Sequence, residues 1–300
     1  MIFTLNKTMS FAAYAIFCIG LHVCTPTDIY AASTPHADGY LGEIQRYKIK
    51  KNESLIEIAR KFDLGYNSIV EANPGVDPFI PQSGSTITIP TAWILPKISG
   101  IPSVIINLPE FRLYYLPNES PGTVVTFPLG IGDEWRETPL GLYTVTDKMV
   151  NPAWYVPGSI RAKEADLPRV VPPGPKNPMG THALRLSRSD ILIHGTNRPW
   201  GIGRRSSHGC LRLYPEDIVQ FFKLVPKGMR VLIVNQPVKI GNRGNRVFIE
   251  VHRYGGNEPS VGQTLHMLAY RDLVENIDFA KLIKAVKEMR GLPVDVTLER

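Results

Sequence analysis

The 300-residue chain, with 43% apolar and 20% charged residues, has the composition of a globular protein and is long enough for one large or two smaller domains. Its 26 prolines and 25 glycines favour many turns and argue against a helical bundle. The net charge of +7 would suit nucleic acid, an anionic membrane surface or an anionic wall polymer, but no basic run is interleaved with aromatic residues as a nucleic-acid surface would require.

The first residues are typical of a cleaved export signal. Lys7 supplies a positive charge before an apolar run at residues 11–23, and Ile29–Ala31 ends on a small residue suited to cleavage. The run is too short for a comfortable membrane span. We therefore expect residues 1–31 to be a signal peptide, and the mature chain to be exported without stable insertion into a membrane. Export also argues against nucleic acid as a partner.

The cysteines raise the question of a reactive thiol. Cys18 and Cys24 fall in the predicted signal, which leaves Cys210 alone in the mature chain. A single thiol in an oxidising compartment cannot form an internal disulfide and is open to oxidation. It is therefore either buried and inert or kept for its reactivity, and the count of cysteines leaves both readings open.

Residues 46–90 form a compact unit with the order β-α-α-β. A strand at residues 47–50 precedes a helix capped by Ser54, and Asn73–Gly75 ends a second helix before a strand at residues 86–90. In order and separation these landmarks resemble the LysM module, although a generic small α+β domain would show the same periodicities. The resemblance implies binding to glycans that contain N-acetylglucosamine, such as peptidoglycan strands.

Residues 91–102 form a joint that contains proline and glycine, so we expect few contacts between the units on either side of it. Residues 103–235 then predict mainly strands, with one helix at residues 217–224. The predicted fold is therefore mainly β, a β-rich domain preceded by the small α+β module.

The tail at residues 237–300 carries no catalytic signature and is predicted to be an accessory region. A Gly- and Asn-bearing joint at residues 241–244 precedes a strand at residues 246–252 and a helix at residues 278–289.

A proline-rich stretch at residues 151–178 interrupts the strands and leaves room for at most one short helix. Loops of this length often act as lids or binding loops. Trp154 and Tyr155 within it could cover a bound peptide, or they could anchor the loop on the sheet.

One segment, residues 191–213, carries the residues for chemistry. His194 ends an apolar strand, and Cys210 follows sixteen positions later within Ser207-His208-Gly209-Cys210-Leu211-Arg212. A thiol attacks as its thiolate, so a catalytic cysteine needs an imidazole or a helix N-terminus to lower its pKa. If the strands pair, the two side chains can meet. Gly209 would then allow close approach of the backbone, and nearby amides could face an oxyanion.

The spacing of His-Gly-Thr and Ser-His-Gly-Cys-x-Arg resembles the signature of the YkuD-type L,D-transpeptidases, as does Thr138-Pro139-x-Gly141-x-Tyr143. The resemblance covers about residues 103–235 and implies a YkuD-like catalytic domain with Cys210 as nucleophile and His194 as base. It further implies that Gly209 and Cys210 help to build an oxyanion hole, with His208, Ser207 and Arg212 shaping the pocket. The sequence alone would also allow His208 as the base.

The resemblance also implies a two-step acyl transfer on peptidoglycan in the periplasm, with no cofactor and no metal. The thiol would attack the carbonyl before the terminal D-alanine of a stem tetrapeptide, release D-alanine and leave a thioester. An amine of a second stem would then give a 3–3 crosslink, or the terminal lysine of an envelope lipoprotein would become attached to the wall.

Three other interpretations compete with this one. A cysteine peptidase would give the same thioester to water, and the motif does not separate the two outcomes. A non-catalytic wall-binding protein would rely on the LysM-like unit, but an intact Cys210 and His194 argue against it. A zinc site formed by His182, His194, His208 and Cys210 lacks the close paired-ligand spacing of structural zinc.

Overall fold

The structure is a computed structural model that describes residues 39–98, 103–117, 122–164, 166–188, 190–256 and 258–299. The predicted signal peptide, residues 1–31, lies outside the described residues. Within the described ranges, no helix has the length and apolar character needed to cross a membrane.

The N-terminal part of the described chain is a small α+β unit. Its elements are β1 (Tyr40–Gly42), β2 (Gln45–Lys48), α1 (Leu55–Lys61), α2 (Tyr66–Ala72), β3 (Thr86–Ile89) and β4 (Ala92–Ile94). Strand β2 pairs antiparallel with β3, and β1 pairs antiparallel with β4. The β-α-α-β order predicted from the sequence is therefore present, and β4 continues it into the predicted joint.

Local side-chain contacts explain why this unit folds as it does. Ser54 and Glu57 form a reciprocal capping box at the start of α1, with the Glu57 amide donating to Ser54 Oγ at 3.3 Å. Asn73 is buried after α2, where its Nδ2 donates to the carbonyls of Ile69 and Thr88 at 2.8 Å each. The side chain of Asn73 thereby fastens the second helix to β3.

The central part of the chain is β-rich. Its elements are β5 (Val104–Asn107), β6 (Arg112–Tyr115), β7 (Val125–Pro128), β8 (Ile131–Gly132), β9 (Gly141–Val150), β10 (Trp154–Tyr155), α3 (Gly158–Arg161), β11 (Val170–Val171), β12 (His182–Leu186), β13 (Leu192–His194), β14 (Arg205–Ser207), β15 (Leu211–Arg212), α4 (Pro215–Leu224) and β16 (Arg230–Val234). Eight of them form one sheet in the order β15-β13-β12-β9-β16-β5-β6-β7. The prediction of a mainly β fold is confirmed.

Two parallel pairs in this sheet matter for the rest of the molecule. Strand β16 runs parallel to β5 at the centre, and β15 runs parallel to β13 at one edge. Helix α4 covers one face, where Phe221 packs edge-on against Phe127 with ring centroids 5.8 Å apart. Because β15 and β13 are neighbours, the residues that flank Cys210 come to lie beside His194.

The C-terminal part forms its own small layer. Its elements are β17 (Val238–Arg243), β18 (Arg246–Val251), α5 (Val261–Ala269), α6 (Phe279–Glu288) and β19 (Val294–Asp295). The strands pair antiparallel in the order β17-β18-β19, and both helices contribute to an apolar core of their own.

In this tail the predicted strand at residues 246–252 and the predicted helix at residues 278–289 correspond to β18 and α6, whereas the predicted joint is wrong. The expected joint at residues 241–244 is the end of β17 and the turn into β18, because an alternating strand precedes the Gly and Asn residues that suggested a linker. Helix α5 was missed, although Ser260 and Gln263 form a capping box at its start.

The expectation of few contacts across residues 91–102 is wrong. The apolar core of the N-terminal unit is continuous with Ile105, Tyr114 and Val124 of the central sheet. Polar contacts add to it, since Arg60 makes a bidentate pair with Glu216 at 2.8 Å. The composition of a linking segment does not indicate whether the two units that it connects are in contact. Here the facing surfaces of both units are apolar, and they pack together.

A buried ionic cluster joins the central sheet to the C-terminal layer. The ammonium of Lys239 on β17 lies 2.7 Å from Glu110 Oε2 and 2.9 Å from Glu250 Oε1, and all three side chains are fully buried. Tyr114 donates its hydroxyl to the same Glu110 oxygen at 2.6 Å. A second oxygen of Glu250 accepts the main-chain amide of Ile94 at 2.6 Å, so the linker strand β4 is tied to the cluster as well.

The cluster extends to the N-terminal unit through His252. Its Nε2 lies 2.7 Å from Glu250 Oε1, and its Nδ1 lies 3.7 Å from Glu71 Oε2 on α2. Burial alone would lower the pKa of His252, but the hydrogen bond to Glu250 and the nearby Glu71 carboxylate raise it to about 9. His252 is therefore held as a cation between two carboxylates at neutral pH.

Gly203 offers a test of the docking of the N-terminal unit. Its φ is +78°, and a Cβ there would overlap the main-chain nitrogen of Tyr66 and lie 2.6 Å from the main-chain carbon of Gly65. Gly228 has a similar φ of +87° with nothing within 4 Å, so it isolates the cost of backbone strain. We expect Gly228→Ala to lower the free energy of unfolding by about 1–2 kcal/mol and Gly203→Ala by about 1–3 kcal/mol more, measured by urea denaturation. Equal losses in the two variants would contradict close docking.

The stability of the protein should depend on the protonation of His252. Because its pKa in the folded state, about 9, lies above the value of 6.5 for an unperturbed histidine, its contribution is full below pH 6.5 and is lost as the pH rises through 9. We expect the free energy of unfolding of the wild type to fall across this range, and the slope to flatten in His252→Gln. Asp63 and Asp217, whose pKa values burial raises, remain in both proteins and so cancel from the comparison.

Candidate active site

The eight residues singled out by the sequence line one cavity of about 770 Å³ at the edge of the large sheet. They are Trp154, Tyr155, His194, Ser207, His208, Gly209, Cys210 and Arg212. Their convergence follows from the register, since His194 on β13 is opposite Arg212 on β15 and Cys210 immediately precedes β15.

The loop that carries Cys210 is held by buried hydrogen bonds. Ser207 donates its hydroxyl to the carbonyl of Cys210 at 2.5 Å. Thr138 donates to the carbonyl of Gly209 at 3.1 Å and accepts the amide of Gly132 at 3.0 Å. Gly209 has a φ of +95°, in the left-handed region that glycine adopts without strain. Residues 207–210, which we call the nucleophile loop after the predicted role of Cys210, are thus held by hydrogen bonds within the loop and from the neighbouring segment.

His194 is buried and oriented by the main chain. Its Nδ1 lies 2.6 Å from the carbonyl oxygen of Gly195. A carbonyl can only accept, so Nδ1 carries a proton, and Nε2 is the nitrogen that lacks one in the neutral ring. Burial and the charge of Arg212 lower the pKa of His194 to about 4, against the opposing effect of the main-chain hydrogen bonds. His194 is therefore a neutral imidazole near pH 7.

Cys210 is in a neutral form as well. Burial raises the pKa of its thiol, although the Leu192 amide and Arg212 act in the opposite direction. Its Sγ lies 3.7 Å from the Asp190 carbonyl, a partner that favours the protonated thiol. The sequence analysis requires a lowered pKa of a catalytic cysteine, whereas burial shifts the pKa of Cys210 in the opposite direction in the free protein. The physical cause is burial, which penalises both charged forms.

His208 and Arg212 occupy different depths of the cavity. His208 is exposed, and burial together with Arg136 lowers its pKa. Arg212 is largely enclosed, donates from Nη1 to the Ser206 carbonyl at 3.1 Å, and has its pKa lowered by burial. The charge of Arg212 acts on both residues, since it lowers the pKa of Cys210 and that of His194.

Trp154 and Tyr155 lie on β10, which pairs antiparallel with β11 across the proline-rich stretch. Tyr155 is 76% exposed although it lines the cavity. Asn177, which the sequence analysis did not single out, is fully buried and donates to the Pro152 carbonyl at 2.9 Å. The proline-rich stretch thus forms part of the cavity wall and is held in place by the hydrogen bond from Asn177. Its role as a lid stays a prediction.

The sequence also missed the charge of the cavity wall. Six cationic side chains and three carboxylates line it: Arg136, Lys176, Arg185, Arg188, Arg198 and Arg212, with Glu137, Glu164 and Asp190. These residues come from separate segments, so no spacing in the sequence could have revealed them. A wall with an excess of cations suits a ligand that carries carboxylates.

Comparison with known proteins agrees with this geometry. The L,D-transpeptidase catalytic domain family matches residues 102–233, and the LysM domain family matches residues 47–90. A probable L,D-transpeptidase of Escherichia coli (strain K12), YcfS, is 36% identical over 93% of this chain and 92% of its own length. The protein belongs to the L,D-transpeptidase family.

A second relative supports the same family membership. ErfK/SrfK of Salmonella typhimurium, a probable L,D-transpeptidase, is 40% identical over 89% of this chain and 90% of its own length. Among solved structures, the catalytic domain of the Enterococcus faecium L,D-transpeptidase is 19% identical with a TM-score of 0.35, over 45% of this chain and 97% of that one. The predicted resemblance and the predicted enzyme class are confirmed by the sequence relatives.

The ionisation of Cys210 gives a test of the resting L,D-transpeptidase. Because burial raises the pKa of its thiol, we expect alkylation of Cys210 by iodoacetamide to accelerate only above pH ~8.5, the range of a free thiol. Mass spectrometry of the alkylated protein across pH measures the profile. Thr138→Val, which removes a hydroxyl that holds the nucleophile loop, serves as a variant with altered loop geometry. A fast rate that persists at pH 6 in the wild type would show a preformed thiolate.

Proposed function

We propose that this L,D-transpeptidase acts on peptidoglycan stem tetrapeptides with Cys210 as nucleophile and His194 as general base. The observation that carries the proposal is that Cys210 and His194, both singled out from the sequence, line one cavity whose wall carries an excess of cations. A stem peptide presents several carboxylates, which matches that wall. His194 is buried and Cys210 is half-buried, and this limited access of water is compatible with acyl transfer, because exclusion of water favours an amine over hydrolysis.

In the first step the proton of the Cys210 thiol passes to Nε2 of His194 as sulfur attacks the carbonyl before the terminal D-alanine. The main-chain amides of Gly209 and Cys210 are the proposed donors to the resulting oxyanion. Collapse breaks the amide bond, the leaving amine takes the proton from His194, and a thioester remains on Cys210. A neutral imidazole is the form required at the start of this sequence.

In the second step an amine attacks the thioester, sulfur leaves and the new amide is released. The acceptor is an amine of a second stem, which gives a 3–3 crosslink, or the terminal lysine of an envelope lipoprotein. The LysM domain would hold the glycan strand of the wall, and the whole reaction would take place in the periplasm after export. Tyr155 and Trp154 would cover the bound stem.

The nucleophile can be tested directly by intact-mass spectrometry. Incubation with a stem tetrapeptide or a carbapenem should add one acyl group to the wild type, and Cys210→Ser should acquire none because its hydroxyl is a far weaker nucleophile in the same place. A matching thermal melt checks that the Ser variant is folded. An adduct on the Ser variant, or on another residue of the wild type, would remove Cys210 from its proposed role.

Product analysis separates transfer from hydrolysis. With stem tetrapeptide alone, a transpeptidase yields crosslinked dimer and D-alanine, whereas a cysteine peptidase yields free tripeptide and D-alanine. We expect dimer or, with an added amine, the amine adduct to dominate. Tripeptide as the main product under all acceptor concentrations would support the peptidase.

A further inference from the structure

A second cavity, of about 1250 Å³, has no part in the chemistry proposed above. It is lined by residues of the C-terminal layer and by segments that precede this layer in the sequence. Its wall includes Lys97, Gln236, Tyr254, His266, Met267 and Tyr270. Its volume exceeds the ~300–1000 Å³ of ordinary small-molecule pockets, which favours a segment of a polymer as occupant. We call it the C-terminal groove.

Glu137 lines both the C-terminal groove and the active-site cavity, so the two cavities are neighbours at this residue. Glu137 Oε1 accepts from Arg205 Nη2 at 2.7 Å, yet 63% of the Glu137 side chain is exposed. Arg205 begins β14, the strand that leads into the nucleophile loop, and its guanidinium lies 4.9 Å from the ring centroid of Tyr254 in the groove wall. The groove therefore ends beside the nucleophile loop.

The main chain confirms how close this end is to the chemistry. A Cβ on Gly209 would lie 3.6 Å from the carbonyl oxygen of Glu137, and the next residue, Thr138, donates to the Gly209 carbonyl. Gly209 directly precedes Cys210. A chain that lies in the groove and passes Glu137 would thus arrive at the side of the thioester.

The two cavities differ in charge. The active-site cavity has six cationic and three acidic side chains, whereas the groove has Lys97, Lys239 and Arg271 against Glu137 and Glu258. Lys239 is already neutralised by the buried carboxylates of Glu110 and Glu250. The groove is thus close to neutral, and it lacks the net positive charge that would favour a stem peptide with several carboxylates.

We propose that the C-terminal groove is the acceptor site, and that its occupant is an extended polypeptide whose lysine amine reaches the Cys210 thioester past Glu137. This inference rests on the proposed function. Tyr270, 82% exposed, with Tyr254 and Met267 offers apolar surface to peptide side chains, and Gln236 and His266 offer polar contacts. The Glu137 carboxylate attracts the ammonium at the passage between the cavities.

The transfer step balances without a further reactant. The lysine nitrogen, as the free amine, bonds to the thioester carbonyl, the carbon–sulfur bond breaks, and the proton shed by nitrogen returns to sulfur through His194. The products are an amide and the thiol of Cys210. The groove's part is to hold the amine at high local concentration, which raises the rate of aminolysis relative to hydrolysis.

The test compares three acceptors on the full-length protein with a stem tetrapeptide as donor. The first is an unstructured peptide whose residues are uncharged except for a terminal lysine. The second is lysine amide, which is too short to occupy the groove, and the third is a second stem tetrapeptide. The variant is His266→Ala/Tyr270→Ala, two exposed positions on or at the end of α5. Mass spectrometry measures the acyl-enzyme, and chromatography measures the ratio of amine adduct to hydrolysis product.

We expect the double variant to lower the adduct-to-hydrolysis ratio for the long peptide about fivefold to tenfold, with the ratio for lysine amide and the rate of acyl-enzyme formation unchanged. Phe279→Ala is the matched control, because Phe279 is an exposed aromatic residue at the start of α6 outside the groove wall. It should leave all three ratios at the wild-type value.

The other outcomes each overturn a different statement. If the ratio of adduct to hydrolysis product fell for the stem tetrapeptide but not for the long peptide, the groove would be a site for a stem peptide. This result would contradict a polypeptide as its occupant. Unchanged ratios for every acceptor, with a normal acyl-enzyme, would overturn the groove as acceptor site. Absence of an acyl-enzyme in the wild type would defeat the proposed function itself, and the inference with it.

Discussion

The fold depends on satisfying one buried cation. The ammonium of Lys239 is fully buried at the junction of the three parts of the chain, and an isolated charge in such a place would be very costly. Glu110 from the central sheet and Glu250 from β18 compensate it, and Glu250 also holds the linker strand through the Ile94 amide. Removing Lys239 would leave the buried Glu110 carboxylate without the cation that pairs with it, at a cost of about 3–5 kcal/mol. The three parts must therefore come together for any of these charges to be stable.

The same junction is connected through the sheet to the edge that carries the candidate active site. Lys239 and Glu110 lock the turn between β5 and β6, next to the parallel pair β5–β16 at the sheet centre. From there the sheet extends through β9 and β12 to β13, which presents His194. The nucleophile loop adds its own fixed points at Thr138 and Ser207. A frame of this kind suits the proposed chemistry, in which the half-buried thiol of Cys210 and the buried imidazole of His194 are neutral before a carbonyl is presented to them.

The sequence predicted the central features well where the signal is local. The capping residue Ser54, the turn after Asn73 and the motif around Cys210 are each set by neighbours within a few positions, so their spacing reports their structure. The ionisation of Cys210 could not be predicted in this way, because burial by distant segments reverses the direction that the motif suggests. The buried pairing of Lys239 with Glu250 was missed for the same reason. In a sequence, a strand that contains a charged residue resembles a surface strand unless the partner of that charge is known.

Docking of the LysM domain changes how it can assist the enzyme. A domain on a flexible linker raises the local concentration of substrate over a wide range of orientations, with a benefit that depends on linker length. Here the domain shares an apolar core with the central sheet, and Arg60 is paired with Glu216 at the start of α4. A glycan strand held by this domain would have one fixed direction relative to the cavity. Only stems that project at a compatible angle and spacing could then reach Cys210, so the domain would select among stems along a strand as well as retain the strand.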